Sequence, residues 1–173
     1  MSQSEISNRE LCLLLLKAES EDSVIEIMKE HNFWHDETYW RAFGDNENNW
    51  SAIGNQQGHP VAAVVEKFVN SIDAVLMREC LARGINPAGT SAPQSIADAV
   101  ETFFSVQRGN LTNIDTERRR DLADLIGFVA TGEKRNPNYV VFDKGEGQTP
   151  KDMPDTLLSL SKSNKLRIPF VQG

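Results

Sequence analysis

The sequence predicts a helix-rich domain of the α/β (α+β) class, and three observations indicate it. Apolar residues recur at helical spacing, most clearly in the segment that begins at Pro60 and continues to about Ala82. The compact run Tyr139-Val-Val-Phe142 is typical of a buried strand. Hydrophobic residues make up 39% of the 173 residues and charged residues 25%, as in an ordinary soluble protein with one domain or most of a larger one.

The N-terminal part of the chain predicts helices followed by an aromatic-rich segment. Residues 5–31 carry the spacing of one or two helices, with a break and a new N-cap at Ser20. Residues 33–55 hold all three tryptophans, and a short helix is expected there only near residues 37–43. Aromatic residues at this density pack a subdomain or clamp another segment. We therefore assign residues 1–55 to a helical, Trp-rich N-terminal extension.

Residues 56–173 are predicted to form the main domain. Pro60 is favoured in the first turn of a helix, and Gly84 supplies the end of that helix. A helix at residues 115–130 is predicted from its apolar positions Leu122, Leu125, Ile126 and Val129. The other predicted elements are a loop at residues 84–95, a helix at 95–107, a turn at 132–138, the strand at 139–142 and a helix at about 150–161.

The charge of the chain argues against a nucleic-acid-binding surface. The formal net charge is −7 and the pI is about 5.0, whereas such surfaces collect Lys and Arg to neutralise phosphates. The one basic cluster, Arg118-Arg119-Arg120, is flanked by acidic residues and indicates a solvated helix face. No direct contact with nucleic acid is expected.

The sequence also argues against a membrane-spanning or secreted protein, a disulfide bond and a zinc site. No apolar run approaches the roughly 20 residues that span a bilayer, and the N-terminus lacks the features of a secretory signal, so we expect a cytoplasmic protein. Cys12 and Cys80 lie in apolar stretches and are expected to be small hydrophobes rather than a disulfide. His31 and His35 have i,i+4 spacing without companion ligands, which argues against zinc.

The first motif with chemical meaning lies on the helix from Pro60. At 100° per residue, Glu66, Asn70 and Asp73 fall within roughly 60° of one another, beside the apolar arc. An amide oxygen can ligate Mg²⁺, and a carboxylate can orient or deprotonate a water for attack on phosphorus. Taken alone, this spacing more often marks a solvent-facing stripe without a function.

Two further motifs follow in the chain. Asp143-Lys144-Gly145-Glu146-Gly147 comes directly after the predicted strand, where an aspartate can accept a hydrogen bond from an exocyclic amine and glycines allow a close backbone approach. Ser161-Lys162-Ser163-Asn164-Lys165 brings lysines and hydroxyls that can line a phosphate path. In isolation, the former is compatible with an ordinary turn and the latter with a basic helix end.

The three motifs occur in an order, and in predicted structural contexts, that resemble one family, and this agreement is what raises a motif above chance. Glu66–Ala74 resembles the N-box of the GHKL ATPases, E-x-x-x-N-x-x-D-A; this is the family of gyrase, the ninety-kilodalton heat-shock chaperones, histidine kinases and MutL. Val140–Gly147 resembles their second box, an apolar strand leading into D-x-G-x-G. Leu158–Lys165 resembles the serine–lysine segment that follows in several branches.

The resemblance implies an incomplete Bergerat-type two-layer α/β sandwich that binds ATP and Mg²⁺. It implies a function for each matching residue: Glu66 as general base, Asn70 as Mg²⁺ ligand, Asp73 at the adenine end, Asp143 on the adenine amine, Gly145 and Gly147 around the adenine pocket, and Lys162, Ser163 and Lys165 towards the lid and the phosphates. The implied activity is Mg-dependent ATP hydrolysis that drives a conformational change, with downstream domains and a homodimer as further partners.

The chain departs from the family pattern in three places. Lys144 stands where the second box usually has a small polar residue. The stretch between the helix and the strand is longer than in compact members, and we expect an inserted helical pair around residues 94–130. The glycine-rich lid and further strands are not found after Gly147, so we expect residues 56–173 to be the N-terminal part of such a domain.

Two other functions are compatible with the same residues. One is a nucleotide-sensing or protein-interaction scaffold that does not hydrolyse ATP. The other is an α-rich domain in which the motifs are coincidental. Glu66 favours a water-attacking ATPase over both a scaffold and a histidine kinase, because neither of these needs a base beside Asn70. A link to bacterial defence rests only on analogy at the level of the fold.

Overall fold

The computed structural model describes residues 6–49, 59–156, 158 and 164–172. Within these ranges the chain forms five α-helices and one two-stranded antiparallel sheet, which confirms a broadly α+β class. The elements are α1 (Asn8–Lys17), α2 (Glu21–Glu30), α3 (Pro60–Ala82), α4 (Ile96–Phe104), α5 (Thr116–Ala123), β1 (Ile126–Glu133) and β2 (Asn136–Asp143).

The chain divides into two compact units. The first comprises the residues up to Ala42 together with Val129–Val140, and the second comprises Phe43–Phe128 together with Val141–Gly173. The described residues of all three motifs (66–73, 143–147 and 164–165) belong to the second unit. The predicted division at residue 55 is therefore a different partition of the chain, made from composition rather than from contacts.

The first unit contains the predicted helix pair with its break at Ser20. The Ser20 hydroxyl accepts a hydrogen bond from the Ser23 N–H at 3.1 Å, which caps the N-terminus of α2 as the sequence predicts. In place of the predicted short helix near residues 37–43, the chain forms a 3₁₀ turn at Glu37–Tyr39 and begins a second one at Phe43. Trp34 and Trp40 pack edge to face there, with ring centroids 5.7 Å apart. Residues 50–55 of the Trp-rich segment lie outside the described residues.

Helix α3 begins and ends where the sequence predicts. Pro60 occupies its first turn. At the other end Gly84 has φ +68°, and two hydrogen bonds close a Schellman motif: Gly84 N–H to the Leu81 carbonyl at 2.9 Å and Ile85 N–H to the Cys80 carbonyl at 3.1 Å. Only glycine adopts this φ without strain, so the end of the helix is encoded locally.

The core of the second unit is built on the C-terminal half of α3. Its buried apolar residues come from α3, α4, the connections around them and the C-terminal segment: Val75, Leu76, Cys80, Ala92, Ala99, Phe103, Phe104, Val106 and Phe170. The Phe170 ring meets Phe103 edge to face at 6.1 Å. In contrast, Val61 and Val65 in the first half of α3 are exposed. Helix α3 therefore passes from water into the core along its length.

The prediction of a helix over residues 115–130 is wrong in its second half. Helix α5 ends at Ala123, and strand β1 begins at Ile126. Gly127 on β1 and Phe142 on β2 mark a close approach of the two strands. The Phe142 ring on β2 lies where a side chain at Gly127 would stand, so the two strands pair closely at this point. The predicted inserted pair near residues 94–130 thus corresponds to α4 and α5, followed by a strand.

A strand was predicted at residues 139–142, and this is confirmed. The prediction that the strand is buried is wrong. Strand β2 is longer than predicted, and the turn before it is confined to residues 134–135 rather than 132–138. Tyr139 is 64% exposed and Phe142 47%. Among the described residues only β1 pairs with β2, and a two-stranded sheet leaves much of its apolar surface in water.

The predicted helix at about residues 150–161 is wrong in its described part. Only a 3₁₀ turn, Met153–Asp155, forms there. Pro154 has no N–H to donate and disfavours the α conformation at Met153, so an α-helix cannot continue through these residues. Residues 157 and 159–161 lie outside the described residues.

Among the helices that the structure describes, none combines the length and the hydropathy that a membrane span requires.

Phe170 is predicted to anchor the C-terminal segment to the core. Phe170→Ala removes a side chain that is fully buried and should lower the free energy of unfolding by about 3 kcal/mol. Leu166→Ala, in the same segment but 85% exposed, should change it by less than about 0.5 kcal/mol. Urea unfolding followed by circular dichroism measures both. Equal effects of the two substitutions would contradict the observed burial.

The two free cysteines should differ strongly in reactivity. Cys12 is exposed, whereas Cys80 is buried, and its burial raises the pKa of the thiol. Because the thiolate is the reactive form, Cys80 should react with a thiol reagent at least about a hundredfold more slowly than Cys12. A spectrophotometric thiol assay should count one fast thiol in the native protein and two in denaturant. Cys12→Ser should abolish the fast phase, and two fast thiols in the native parent would contradict the structure.

Candidate functional site

The exposure of the three polar residues of the first motif decreases along α3. Glu66 is exposed, Asn70 is half-buried, and Asp73 is 1% exposed. The gradient follows from the path of α3, because Asp73 lies two residues before Val75, where the core residues of the helix begin. The stripe predicted from the sequence is therefore present, and only one end of it faces water.

The buried carboxylate of Asp73 is held by two partners from the C-terminal segment. The Lys165 ammonium donates to Oδ2 at 2.8 Å. The Gln172 backbone N–H donates to Oδ1 at 3.0 Å and to Oδ2 at 3.2 Å. A buried carboxylate is tolerated only when it is paired and hydrogen-bonded in this way. The cation that neutralises Asp73 thus comes from 92 residues further along the chain, not from α3.

Lys165 also connects Asp73 with Asn70. Its ammonium donates to Asn70 Oδ1 at 2.9 Å, so two oxygen atoms of the first motif converge on one cation. The side chain of Lys165 is 33% exposed, so the protein encloses it only in part. The third motif and the first therefore meet in space at this residue. Lys162 and Ser163, the other two predicted residues of the third motif, lie outside the described residues.

The second motif packs directly on α3 at Ala74, the residue after Asp73. A Cβ at Gly145 would lie 2.8 Å from the Ala74 carbonyl carbon and closer still to the Ala74 Cβ. The Glu146 N–H donates to the Ala74 carbonyl at 3.2 Å. Only glycine permits an approach this close, which gives Gly145 a packing function in addition to its predicted place at a ligand pocket.

The turn that carries Asp143 is fixed by backbone hydrogen bonds at the end of β2. Asp143 Oδ1 accepts the Gly145 N–H at 2.9 Å, and the Lys144 N–H donates to the Leu125 carbonyl at 2.8 Å. The guanidinium of Arg78, on α3, donates to the Lys144 carbonyl. Asp143 itself is exposed, and Gly147 completes the turn with φ +70°. Asp143 is thus held at the end of a strand with its side chain open to water.

Glu146 adds a second carboxylate near Lys165 that the sequence did not single out. Partial burial raises the pKa of the Glu146 carboxyl, and the positive charge of Lys165 opposes part of that rise. The residue as a whole remains exposed, so only the surroundings of its carboxyl group are partly buried. Lys165 thus lies in the field of Asp73 and Glu146.

Arg78, Glu146 and the Gln172 backbone also belong to this site and were not predicted from the sequence. Arg78 stands one helical turn after Ala74 and so lies on the same side of α3, which is a signal that could have indicated it. Glu146 lies between the two glycines of the second motif and is as close in sequence to the site as they are. The Gln172 N–H is a backbone group, and no side-chain pattern could have predicted it.

The chemistry of the donors fits a hard cation with few protein ligands. Asn70 Oδ1 and Asp73 Oδ2 both bind one positive charge, and oxygen atoms are the ligands that Mg²⁺ prefers. Among the described residues, no group of three or more acidic, His or Cys side chains could hold a metal ion. A Mg²⁺ ion here would therefore depend on waters and on a ligand such as a phosphate, as is usual for this ion.

Searches against known protein families, curated proteins and solved structures gave no match.

Gly145 is predicted to tolerate no side chain. Gly145→Ala should lower the free energy of unfolding by about 2 kcal/mol, because the new methyl group would overlap Ala74. Gly147→Ala is the matched control: it has positive φ but no atom within 4 Å of the new Cβ, so its cost should be only about 1 kcal/mol. Thermal unfolding of both variants tests this, and a smaller cost at Gly145 than at Gly147 would contradict the close approach.

Proposed function

We propose that the second unit is part of a GHKL-type ATP-binding module, on a Bergerat-type two-layer α/β sandwich, that binds Mg-ATP and hydrolyses it. One observation carries the proposal. Three motifs separated along the chain come together on α3, through Gly145 at Ala74 and through Lys165 at Asn70 and Asp73. Nucleotide turnover would then drive a conformational change in a larger protein or a homodimer. A function in bacterial defence is an analogy at the level of the fold.

Asp143, Gly145 and Gly147 would form the adenine end of the site. The Asp143 carboxylate is exposed and has one oxygen engaged by the Gly145 N–H, so it can accept a hydrogen bond from an exocyclic amine through the other. Gly145 and Gly147 keep side chains out of this edge. Asp73 lies one residue from the contact between Ala74 and Gly145, which supports its assignment to the same end.

Asn70 would hold Mg²⁺ through its amide oxygen, and Lys162, Ser163 and Lys165 would face the phosphates. When bound, Mg²⁺ neutralises charge on the phosphate oxygens and orients them. Lysine ammonium groups add donors and positive charge for the same oxygens. Asn70 is half-buried, so part of the residue is open to water.

Glu66 would act as the general base at the exposed end of the stripe. Its carboxylate would accept a proton from a water whose oxygen forms a bond to the γ-phosphorus. The bond between that phosphorus and the β–γ bridging oxygen breaks, and ADP departs with the electron pair. The position of Glu66, one turn before Asn70 and open to solvent, supports this role because the attacking water must reach it.

A nucleotide-sensing or protein-interaction scaffold is the second candidate, and exposed apolar surface favours it. Val61, Val64 and Val65 are exposed on the first half of α3, next to Glu66. Apolar side chains grouped on a surface are typical of interaction sites. In a scaffold of this kind, nucleotide could still bind, and Glu66 would be dispensable.

Calorimetric titration of Mg-ATP and of GTP into the protein tests the proposal. We expect binding that is selective for ATP and that Asp143→Asn weakens at least about tenfold, because the new amide group would point a donor at the adenine amine. The Asn oxygen can still accept from the Gly145 N–H, so the turn should persist. Asp124→Asn, an exposed acid elsewhere in the unit, is the control. Absence of ATP binding, or parental affinity in Asp143→Asn, would refute the nucleotide site.

Turnover distinguishes the ATPase from the scaffold. Glu66→Gln should leave ATP binding unchanged and lower kcat at least about a hundredfold, because the amide cannot accept the proton from water. Glu117→Gln, an exposed glutamate on α5, should leave both quantities unchanged. Phosphate release under saturating ATP measures the rate. ATP binding without turnover in the parent protein would favour the scaffold.

A further inference from the structure

The ammonium group of Lys165 lies at a cation-binding position. Its nitrogen is 2.9 Å from Asn70 Oδ1 and 2.8 Å from Asp73 Oδ2. Asn70 is the residue proposed to ligate Mg²⁺, and the Asp73 carboxylate is the acidic group beside it that shares the same ammonium. A purely structural ion pair would need only Asp73, so the additional contact with Asn70 is what connects Lys165 to the site.

Lys165 and a divalent ion cannot both occupy this position. Mg²⁺ binds oxygen at about 2.0–2.1 Å, so an ion on Asn70 would lie within a few ångströms of the ammonium and repel it. Lys165 is the member of the cluster that can move: its side chain is 33% exposed, whereas Asp73 is buried and also accepts the Gln172 N–H. Glu146 lies within electrostatic reach and offers a displaced ammonium a second negative partner.

We infer that Lys165 is an internal counter-ion that occupies the divalent-cation position of the site, so that Mg²⁺ and nucleotide must displace it from Asn70. This inference rests on the proposed function. It makes cation entry competitive: the apparent affinity for Mg²⁺ is reduced by the fraction of molecules in which Lys165 holds Asn70. It also couples ligand entry to the C-terminal segment, because Lys165 and Gln172 hold that segment on Asp73.

Mn²⁺ binding, measured by electron paramagnetic resonance of the free ion, tests the competition without nucleotide and without activity. Mn²⁺ alone serves as the probe for the Mg²⁺ position. The dissociation constant for Mn²⁺ should be about fivefold to tenfold lower in Lys165→Met than in the parent, since the competing charge is removed. Lys151→Met removes the same charge from an exposed position and should match the parent. Equal or weaker Mn²⁺ binding in a folded Lys165→Met variant would overturn the inference.

Nuclear magnetic resonance of the lysine side chains tests the displacement in the parent protein, even where Lys165→Met fails to fold. A hydrogen-bonded Lys165 ammonium should give a slowly exchanging ¹⁵Nζ signal, assigned by its loss in Lys165→Arg. Addition of Mg²⁺ with a non-hydrolysable ATP analogue should shift or remove this signal in step with binding. A signal that stays unchanged at saturation would show that Lys165 keeps its place and would overturn the inference.

The two measurements separate this inference from the proposed function. If the ATP analogue binds and the Lys165 signal is unchanged, the nucleotide site stands and the competition is wrong. If the analogue does not bind, the proposed function fails, and the Mn²⁺ titration alone then decides whether Lys165 occupies a cation position.

Discussion

The second unit depends on the pairing of one buried carboxylate, that of Asp73. Asp73 is 1% exposed on a helix that enters the core at this point, and an unpaired charge there would be strongly destabilising. Lys165 and the Gln172 N–H meet this need, and both belong to the C-terminal segment. Phe170, between them in sequence, enters the core in the same segment. Electrostatic and apolar contacts thus hold the same stretch of chain on α3.

A second constraint fixes the point on α3 that the turn after β2 (residues 143–147) contacts. Gly145 lies against Ala74, and the Ala74 carbonyl accepts the Glu146 N–H. The Lys144 carbonyl accepts from Arg78, one helical turn further along α3. The turn is therefore attached to the residue that directly follows Asp73. Both constraints act on the same turn of the helix, which explains why motifs far apart in sequence converge there while Glu66, nearer the start of α3, stays in water.

Local signals in the sequence were sufficient for helices with well-defined ends. Ser20 caps α2, and Gly84 ends α3, because each acts on backbone groups within a few residues of itself. The prediction failed at Ile126, where apolar residues satisfy a helical period over a short window but belong to a strand. Pairing with β2 decides that choice, and periodicity alone does not contain it. The failure near Pro154 was local and could have been avoided from the proline itself.

The sequence by itself determined which side chains are available on α3 and at the end of β2: a stripe of Glu66, Asn70 and Asp73, and an aspartate followed by alternate glycines. It also determined their local conformations, because helix periodicity and glycine dihedral angles depend on near neighbours. Only the tertiary structure decided that Asp73 is buried, that the Lys165 ammonium pairs with it, and that the Gln172 backbone N–H donates to it. These contacts join residues more than ninety positions apart. Their formation depends on where the core closes, and no local pattern carries that information.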